Sequence, residues 1–155
     1  MGDKIETIGQ DAFNGMTNLS NIDIPANLKK IESRAFRHTP VESIESNSII
    51  SIGDYAFSDC TKLSSINADN VTSIGERAFN NTKITDIRFD IATDIDTAAF
   101  MGLNDLTAIS LSKTNITPIL ADSTNLKSFI ADSIIDAPKL QDNKLVENIS
   151  ISSVT

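Results

Sequence analysis

The chain has 155 residues, with 13 basic and 21 acidic side chains and a formal net charge of −8. One tyrosine and no tryptophan offer few stacking platforms for nucleic acid, and the acidic balance opposes contact with phosphates. No segment approaches the roughly 18 apolar residues of a membrane span, and no signal peptide is recognisable. One domain is expected at this length.

The dipeptide Ala-Phe recurs along the chain, and other apolar residues keep the same phase. Its phenylalanines are separated by 23, 21, 22 and 21 residues: Phe13, Phe36, Phe57, Phe79 and Phe100. An isoleucine lies five residues before each of them: Ile8, Ile31, Ile52, Ile74 and Ile95. An aliphatic residue follows each phenylalanine by five or six residues: Leu19, Val41, Leu63, Ile84 and Leu106. Three positions further stands another isoleucine: Ile22, Ile44, Ile66, Ile87 and Ile109. This period indicates a repeat protein, whose units bury apolar residues by stacking on one another.

The sequence of each unit predicts two local structures, a turn around Ala-Phe and then a short strand. Around Ala-Phe, the apolar pair Ile52 and Ala56 is four residues apart, which is typical of about one helical or 3₁₀ turn. The end of segment 19–24 alternates apolar and polar residues, which predicts a short β-strand with one buried face. Stacked units would align the strands into a parallel sheet and the phenylalanines into one apolar spine.

The pattern weakens towards the C-terminus without stopping. A sixth unit without Ala-Phe is predicted from Ile116, Leu126, Phe129 and Ala131. A looser seventh is predicted from Ile135, Leu140, Leu145, Ile149 and Ile151. Residues 1–155 are thus expected to form a single domain of about six or seven units of 21–23 residues, with 112–155 degenerate. Because Lys4 and Ile5 precede the first unit without a polar cap, we expect a fragment of a larger repeat protein, or self-association through uncapped ends.

The unit resembles the leucine-rich repeat of the Treponema pallidum type, as in BspA-like surface proteins. Residues 19–25 (Leu-Ser-Asn-Ile-Asp-Ile-Pro) match its first half and residues 71–79 (Val-Thr-Ser-Ile-Gly-Glu-Arg-Ala-Phe) its second, with Cys60 at the family's cysteine position. The match is good over residues 5–111 and poor over 112–151. The resemblance implies an α/β solenoid, a right-handed superhelix with a parallel sheet on its concave face and helical or 3₁₀ turns on its convex face. It also implies cell-surface display or secretion, and binding of host or neighbouring-cell proteins.

The residues that could carry chemistry have simpler structural interpretations. Cys60 and His38 are the only residues of their types, so a disulfide within the chain and a four-ligand zinc site are excluded. The repeat phase makes Cys60 a buried small residue and His38 a solvated loop residue. Gly9, Gly53 and Gly75 recur with the repeat and are expected to serve a backbone turn rather than a phosphate loop. We therefore expect no enzyme and no cofactor.

The concave strand face is the predicted binding surface. If the isoleucine of each strand points inward, the next residue and the one two positions further point outward. The candidate partner-binding residues on these columns are Asp23, Glu45, Asn67, Asp69, Arg88 and Asp90. Carboxylates there suit a hard cation such as Ca²⁺, but one per unit supplies no dedicated loop, so no metal site is predicted. The favoured function is a non-catalytic adhesion module that recognises a protein partner; the alternative is a structural spacer that projects another domain.

Overall fold

A computed structural model describes residues 4–111 and the backbone of two further strands, residues 128–133 and 148–153. In these ranges the strands are β1 (Thr7–Ile8), β2 (Lys30–Ile31), β3 (Ser43–Glu45), β4 (Ser51–Ile52), β5 (Ser65–Asn67), β6 (Ser73–Ile74), β7 (Asp86–Phe89), β8 (Asp94–Ile95), β9 (Ala108–Leu111), β10 (Ser128–Ser133) and β11 (Asn148–Ser153). Every pairing between them is parallel.

The strands stack one coil above the next. The two-residue strands form one sheet in the order β1-β2-β4-β6-β8, while β3 pairs with β5 and a third sheet runs β11-β10-β9-β7. Register joins equivalent repeat positions, for example Ile44 with Ile66 and Ile87 with Ile109. The molecule is therefore a parallel β-solenoid of about five turns over residues 4–111, as the repeat period predicts.

The backbone register of β10 and β11 continues the stack. Phe129 pairs with Ile109 on one side and with Ile149 on the other. These are the residues that the sequence places at the sixth and seventh strand positions. The other apolar residues of those units, Ile116, Leu126, Ile135, Leu140 and Leu145, lie outside the described residues.

A column of phenylalanine rings forms the centre of the core. The ring centroids of Phe13 and Phe36 are 5.1 Å apart, those of Phe36 and Phe57 5.3 Å, and those of Phe57 and Phe79 5.5 Å. Phe100 continues the column 5.8 Å from Phe79. All five rings are stacked, so the predicted spine is confirmed. The repeat isoleucines and leucines pack around it, and all are buried except the half-buried Leu19, Ile22 and Ile95.

Phe89 joins this column from a strand. Its ring lies 6.0 Å from Phe79 and 6.1 Å from Phe100. The same repeat position holds Ala68 in the preceding coil and Leu111 in the next. Strands β7 and β9, in which this position holds a large buried side chain, have four residues each, whereas β3 and β5 have three.

The predicted helical or 3₁₀ turns on the convex side are wrong: the described residues contain no helix. In four coils, φ is positive at the residue two positions before the phenylalanine of the Ala-Phe dipeptide: Asp11, Arg34, Tyr55 and Arg77. The residue two positions after it has a positive φ in all five: Gly15, His38, Asp59, Asn81 and Gly102. Left-handed residues at this spacing interrupt the uniform right-handed φ and ψ of a helix.

Hydrogen bonding gives the reason for these alternating conformations. The N–H groups of Tyr55, Phe57 and Asp59 donate to carbonyls of the next coil, at 2.8, 2.8 and 2.9 Å. The N–H groups of the residues between them, Ala56 and Ser58, close turns within the same coil. In an α-helix, every N–H group after the first turn is used within the helix. Here half of them join neighbouring coils, which satisfies the buried backbone and ties the stack together.

The predicted strand at Leu19–Ile24 is also absent. This segment belongs to the first coil and carries no strand assignment in the structure. Only Glu42 of the next coil donates a backbone hydrogen bond into it, to Ser20 at 3.1 Å. A single backbone hydrogen bond between two coils does not make a β-ladder, whose strands exchange successive bonds. Ile22 and Ile24 still pack against the core.

Two of the repeat glycines allow close approach of neighbouring coils. A Cβ atom on Gly53 would lie 2.7 Å from the Ser33 nitrogen, and one on Gly75 would lie 2.6 Å from the Asp54 nitrogen. Gly53 also starts a turn, since its carbonyl accepts the Ala56 N–H. These glycines therefore serve the backbone turn, as expected, and also leave room for the backbone of the preceding coil.

Candidate binding face

The outward side chains of β3, β5, β7 and β9 form one continuous surface, which we call the long-strand face. Along each strand the burial alternates: Ile44, Ile66, Ile87 and Ile109 are buried, and their neighbours are exposed or half-buried. This alternation follows from the pleat of a strand. Although β5 and β7 are in contact, no ladder joins them.

The structure places the six predicted residues as follows. Glu45 lies on β3, Asn67 on β5 and Arg88 on β7, whereas Asp69 and Asp90 follow β5 and β7. Asp23 lies in the first coil, in segment 19–24, which carries no strand. All six are exposed, in agreement with the predicted outward direction.

The charged groups of this face are mostly unpaired. Within residues 4–111, no hydrogen bond or ion pair is made by the side chains of Asp23, Glu45, Asp69 or Arg88. Asp90 accepts a hydrogen bond from the Ser110 hydroxyl. Arg88 thus lies in the same region as Asp69 and Asp90 without being neutralised by either. These side chains contribute little to the fold and are available to a partner.

Sequence reasoning missed one charged residue of the face. Asp86 is exposed on β7, and it precedes the buried Ile87 as Arg88 follows it. The signal was present, because both neighbours of an inward residue point outward in a strand. Ser43 and Ser65 occupy the same position in β3 and β5. The face therefore has three columns rather than two.

A second acidic surface lies on the sheet of two-residue strands. A shallow cleft of about 330 Å³ has its floor at Gly53 and Gly75 and is bordered by carboxylates: Asp54, Glu76, Asp94 and Asp96. Three of these four carboxylates have structural partners. Asp54 accepts the Glu76 N–H at 2.9 Å, Asp96 accepts the Ala98 N–H at 2.8 Å, and Glu76 accepts the Tyr55 hydroxyl at 2.8 Å.

The turns carry a ladder of polar contacts between coils. Arg34 donates two hydrogen bonds to Asp11, at 2.9 and 3.0 Å. This guanidinium, together with a hydrogen bond from Asn14, lowers the pKa of Asp11 to about 2. In the next coils, the guanidinium carbons of Arg37 and Arg77 lie 5.9 and 6.0 Å from the Tyr55 ring. Such contacts cross the boundary between coils, so the linear sequence gives no direct sign of them.

Cys60 is a structural residue, as expected. It is fully buried, its thiol donates to the Phe36 carbonyl at 3.0 Å, and its sulfur lies 3.4 Å from the Thr39 hydroxyl. Burial raises the pKa of the Cys60 thiol, although hydrogen bonding with Thr39 opposes this. A thiol of raised pKa is a poor nucleophile.

His38 is exposed, and its Nδ1 lies 3.6 Å from a carboxylate oxygen of Asp59. Partial burial raises the pKa of Asp59. Hydrogen bonds from Asn81 and Ser58 and the charges of His38 and Arg37 together lower it by more, so the net shift of this pKa is downward. The histidine contacts this carboxylate at the surface, which agrees with the solvated position predicted for it.

The described residues contain neither a metal-binding cluster nor a membrane-spanning helix. None of their clusters of three or more His, Cys, Asp or Glu residues is arranged to hold a metal ion. Across the same ranges, no helix has the length and apolarity needed to cross a membrane.

Comparison with known proteins identifies the repeat. The profile of the BspA type leucine-rich repeat region, in six copies, matches residues 1–107 and 41–151. The chain belongs to the BspA-type leucine-rich-repeat family. Among solved structures, a leucine-rich repeat protein from Bacteroides ovatus ATCC 8483 is similar at 16% sequence identity and a TM-score of 0.43. That alignment covers 96% of this chain and 53% of the other. The search of curated proteins finds no match.

The family gives a general expectation for function. Its fold is usually used for binding and is generally non-catalytic, and its members are typically displayed on the surface or secreted. Leucine-rich-repeat proteins commonly bind proteins. A shared fold does not fix which surface of a protein binds a partner or what that partner is.

Proposed function

We propose that this chain is a non-catalytic binding module of a surface or secreted protein, and that it recognises a protein partner through the long-strand face. One observation carries the proposal: Glu45, Asp69 and Arg88 are exposed on or directly after the strands of this face and have no partner within residues 4–111. The stacked core beneath them is complete without their side chains. A rigid surface of unused polar groups costs little conformational entropy when it binds.

Charge reversal on this face is the test. Asp69→Lys is expected to abolish saturable binding of the labelled protein to cells or matrix that bind the original chain, and Arg88→Glu is expected to change the affinity of that binding. Both variants should keep the melting temperature within about 2 °C, since exposed substitutions change stability by about 0.5 kcal/mol or less. Lys83→Glu is the control. Its ion pair with Asp105, at 2.8 Å and exposed, lies off the face, and binding should survive its loss.

The alternative function, a spacer that projects another domain, makes the opposite prediction. If no substitution on the long-strand face changes any binding of the protein, the adhesion proposal is wrong. Self-association through the ends of the stack stays a separate prediction. Light scattering after size-exclusion chromatography tests it, because a strict monomer would contradict it.

A further inference from the structure

We propose that the long-strand face binds a basic protein segment, an extended stretch of chain that carries several lysine or arginine side chains. This inference rests on the proposed function and names the chemistry of the partner. It starts from charge. Among the outward residues of β3, β5, β7 and β9 and the two aspartates that follow β5 and β7, the carboxylates are Glu45, Asp69, Asp86 and Asp90. Arg88 is the single cation of that set.

The hydrogen-bonding state of these carboxylates separates them from the other acidic surface. Within residues 4–111, the side chains of Glu45, Asp69 and Asp86 have no hydrogen bond or ion pair. In the cleft of the two-residue strands, by contrast, Asp54 and Asp96 already accept backbone N–H groups. A carboxylate that accepts a backbone N–H already uses part of its hydrogen-bonding capacity within the fold. The carboxylates without such a partner can accept hydrogen bonds from an incoming cation with both oxygens.

The spacing of the carboxylates suits an extended segment. Glu45, Asp69 and Asp86 belong to three successive coils, and parallel strands lie about 4.8 Å apart. The three coils therefore span about 10 Å along the stack, and the carboxylates are also offset across it, because Asp69 lies four strand positions beyond Asp86, or about 13 Å. An extended chain advances about 3.3 Å per residue, so a segment of four to six residues would cover them and place two or three side chains on the sheet.

The composition of the face favours a basic partner over an aromatic or apolar one. The exposed large apolar side chains of residues 4–111, namely Ile5, Met16, Ile50, Ile91 and Met101, all lie off the long-strand face. The face itself carries serine, asparagine and acidic side chains together with Arg88 and Ala108. Carboxylates bind ammonium and guanidinium groups by charge-assisted hydrogen bonds, and hydroxyl and amide groups supply further acceptors.

The test uses the full chain and a fluorescein-labelled hexalysine peptide, with binding followed by anisotropy at low salt. Saturable binding is expected, and it should weaken as salt is added because the contacts are exposed. The variant Asp69→Asn with Asp86→Asn should bind about fivefold more weakly, since two exposed ion pairs are lost. Arg88→Gln should bind about twofold more tightly, because it removes the repelling charge.

A matched control changes the net charge by the same amount elsewhere. Asp54→Asn with Asp94→Asn removes two carboxylates of the cleft, and an asparagine oxygen at position 54 can still accept the Glu76 N–H. This control should change the affinity by less than about twofold, which is less than one exposed ion pair. Equal losses in the two double variants would show attraction to the net charge alone, and would overturn the proposal.

The remaining outcomes separate this inference from the proposed function. If hexalysine does not bind while Asp69→Lys abolishes binding to cells, the face binds a partner of other chemistry and the basic segment is wrong. If hexalysine binds the face but no face variant changes cell binding, the proposed adhesion role is wrong while the affinity for basic chains stands.

Discussion

The phenylalanine column should dominate the stability of the solenoid, and Phe57→Ala tests this directly. Phe57 is fully buried, and its ring stacks on Phe36 at 5.3 Å and on Phe79 at 5.5 Å, with interplanar angles of 4° and 7°. Removing a buried phenylalanine ring commonly costs about 3–5 kcal/mol. Each aromatic pair adds about 0.5–1.5 kcal/mol beyond its buried area. We expect Phe57→Ala to lower the free energy of unfolding by about 4 kcal/mol.

Phe13→Ala is the matched comparison at the end of the same column. Phe13 is half-buried and stacks on Phe36 alone, so its loss should cost about 2 kcal/mol or less. Phe57→Leu keeps most of the apolar volume and removes the two ring contacts, which should cost about 1–2 kcal/mol. We therefore expect Phe57→Ala to lose the most unfolding free energy, and the single variants Phe57→Leu and Phe13→Ala to lose smaller and similar amounts.

Urea unfolding followed by far-ultraviolet circular dichroism gives these free energies, provided that each variant shows the folded spectrum without urea. The melting temperature should fall by about 10 °C for Phe57→Ala, at about 2–4 °C per kcal/mol for a chain of this size. Equal losses of unfolding free energy in Phe13→Ala and Phe57→Ala, or a loss below about 1 kcal/mol in Phe57→Ala, would refute a continuous spine.

Three further predictions concern polar groups of the coils. Thr39→Val should destabilise the fold by about 1 kcal/mol, since the buried hydroxyl of Thr39 donates to the Phe36 carbonyl at 2.7 Å. Thr82→Val should be neutral or stabilising in the same urea assay, because the buried Thr82 hydroxyl has no hydrogen-bond partner; a clear loss there would contradict the reasoning. Asp11, with its pKa lowered to about 2 chiefly by its hydrogen bonds from Arg34, contributes stability that is present above the unfolded pKa of about 3.9 and is lost as pH falls through the folded value. Arg34→Gln should raise the Asp11 titration midpoint in a carbon-detected NMR titration, and an unchanged midpoint would exclude this cause.

The sequence by itself determined the repeat and the direction of its side chains. With one phenylalanine and two isoleucines recurring every 21–23 residues, each apolar group can be buried only against its own equivalents in neighbouring units. Burial of the repeat isoleucines and exposure of Glu45, Asn67 and Arg88 followed from that phase and from strand alternation. Sequence also predicted the register of β10 and β11, since Phe129 and Ile149 keep the repeat position.

Only the tertiary structure decided how the turns are built. Apolar residues spaced four apart are compatible with a helix, but the N–H groups of Tyr55 and Phe57 pair with the next coil, so the helix does not form. That choice depends on a neighbour one unit away in sequence, which no local pattern contains. The same holds for the entry of Phe89 into the ring column and for the contacts of Tyr55 with two arginines. Local periodicity fixes what each residue must bury, whereas the distance between stacked coils fixes which groups can reach one another.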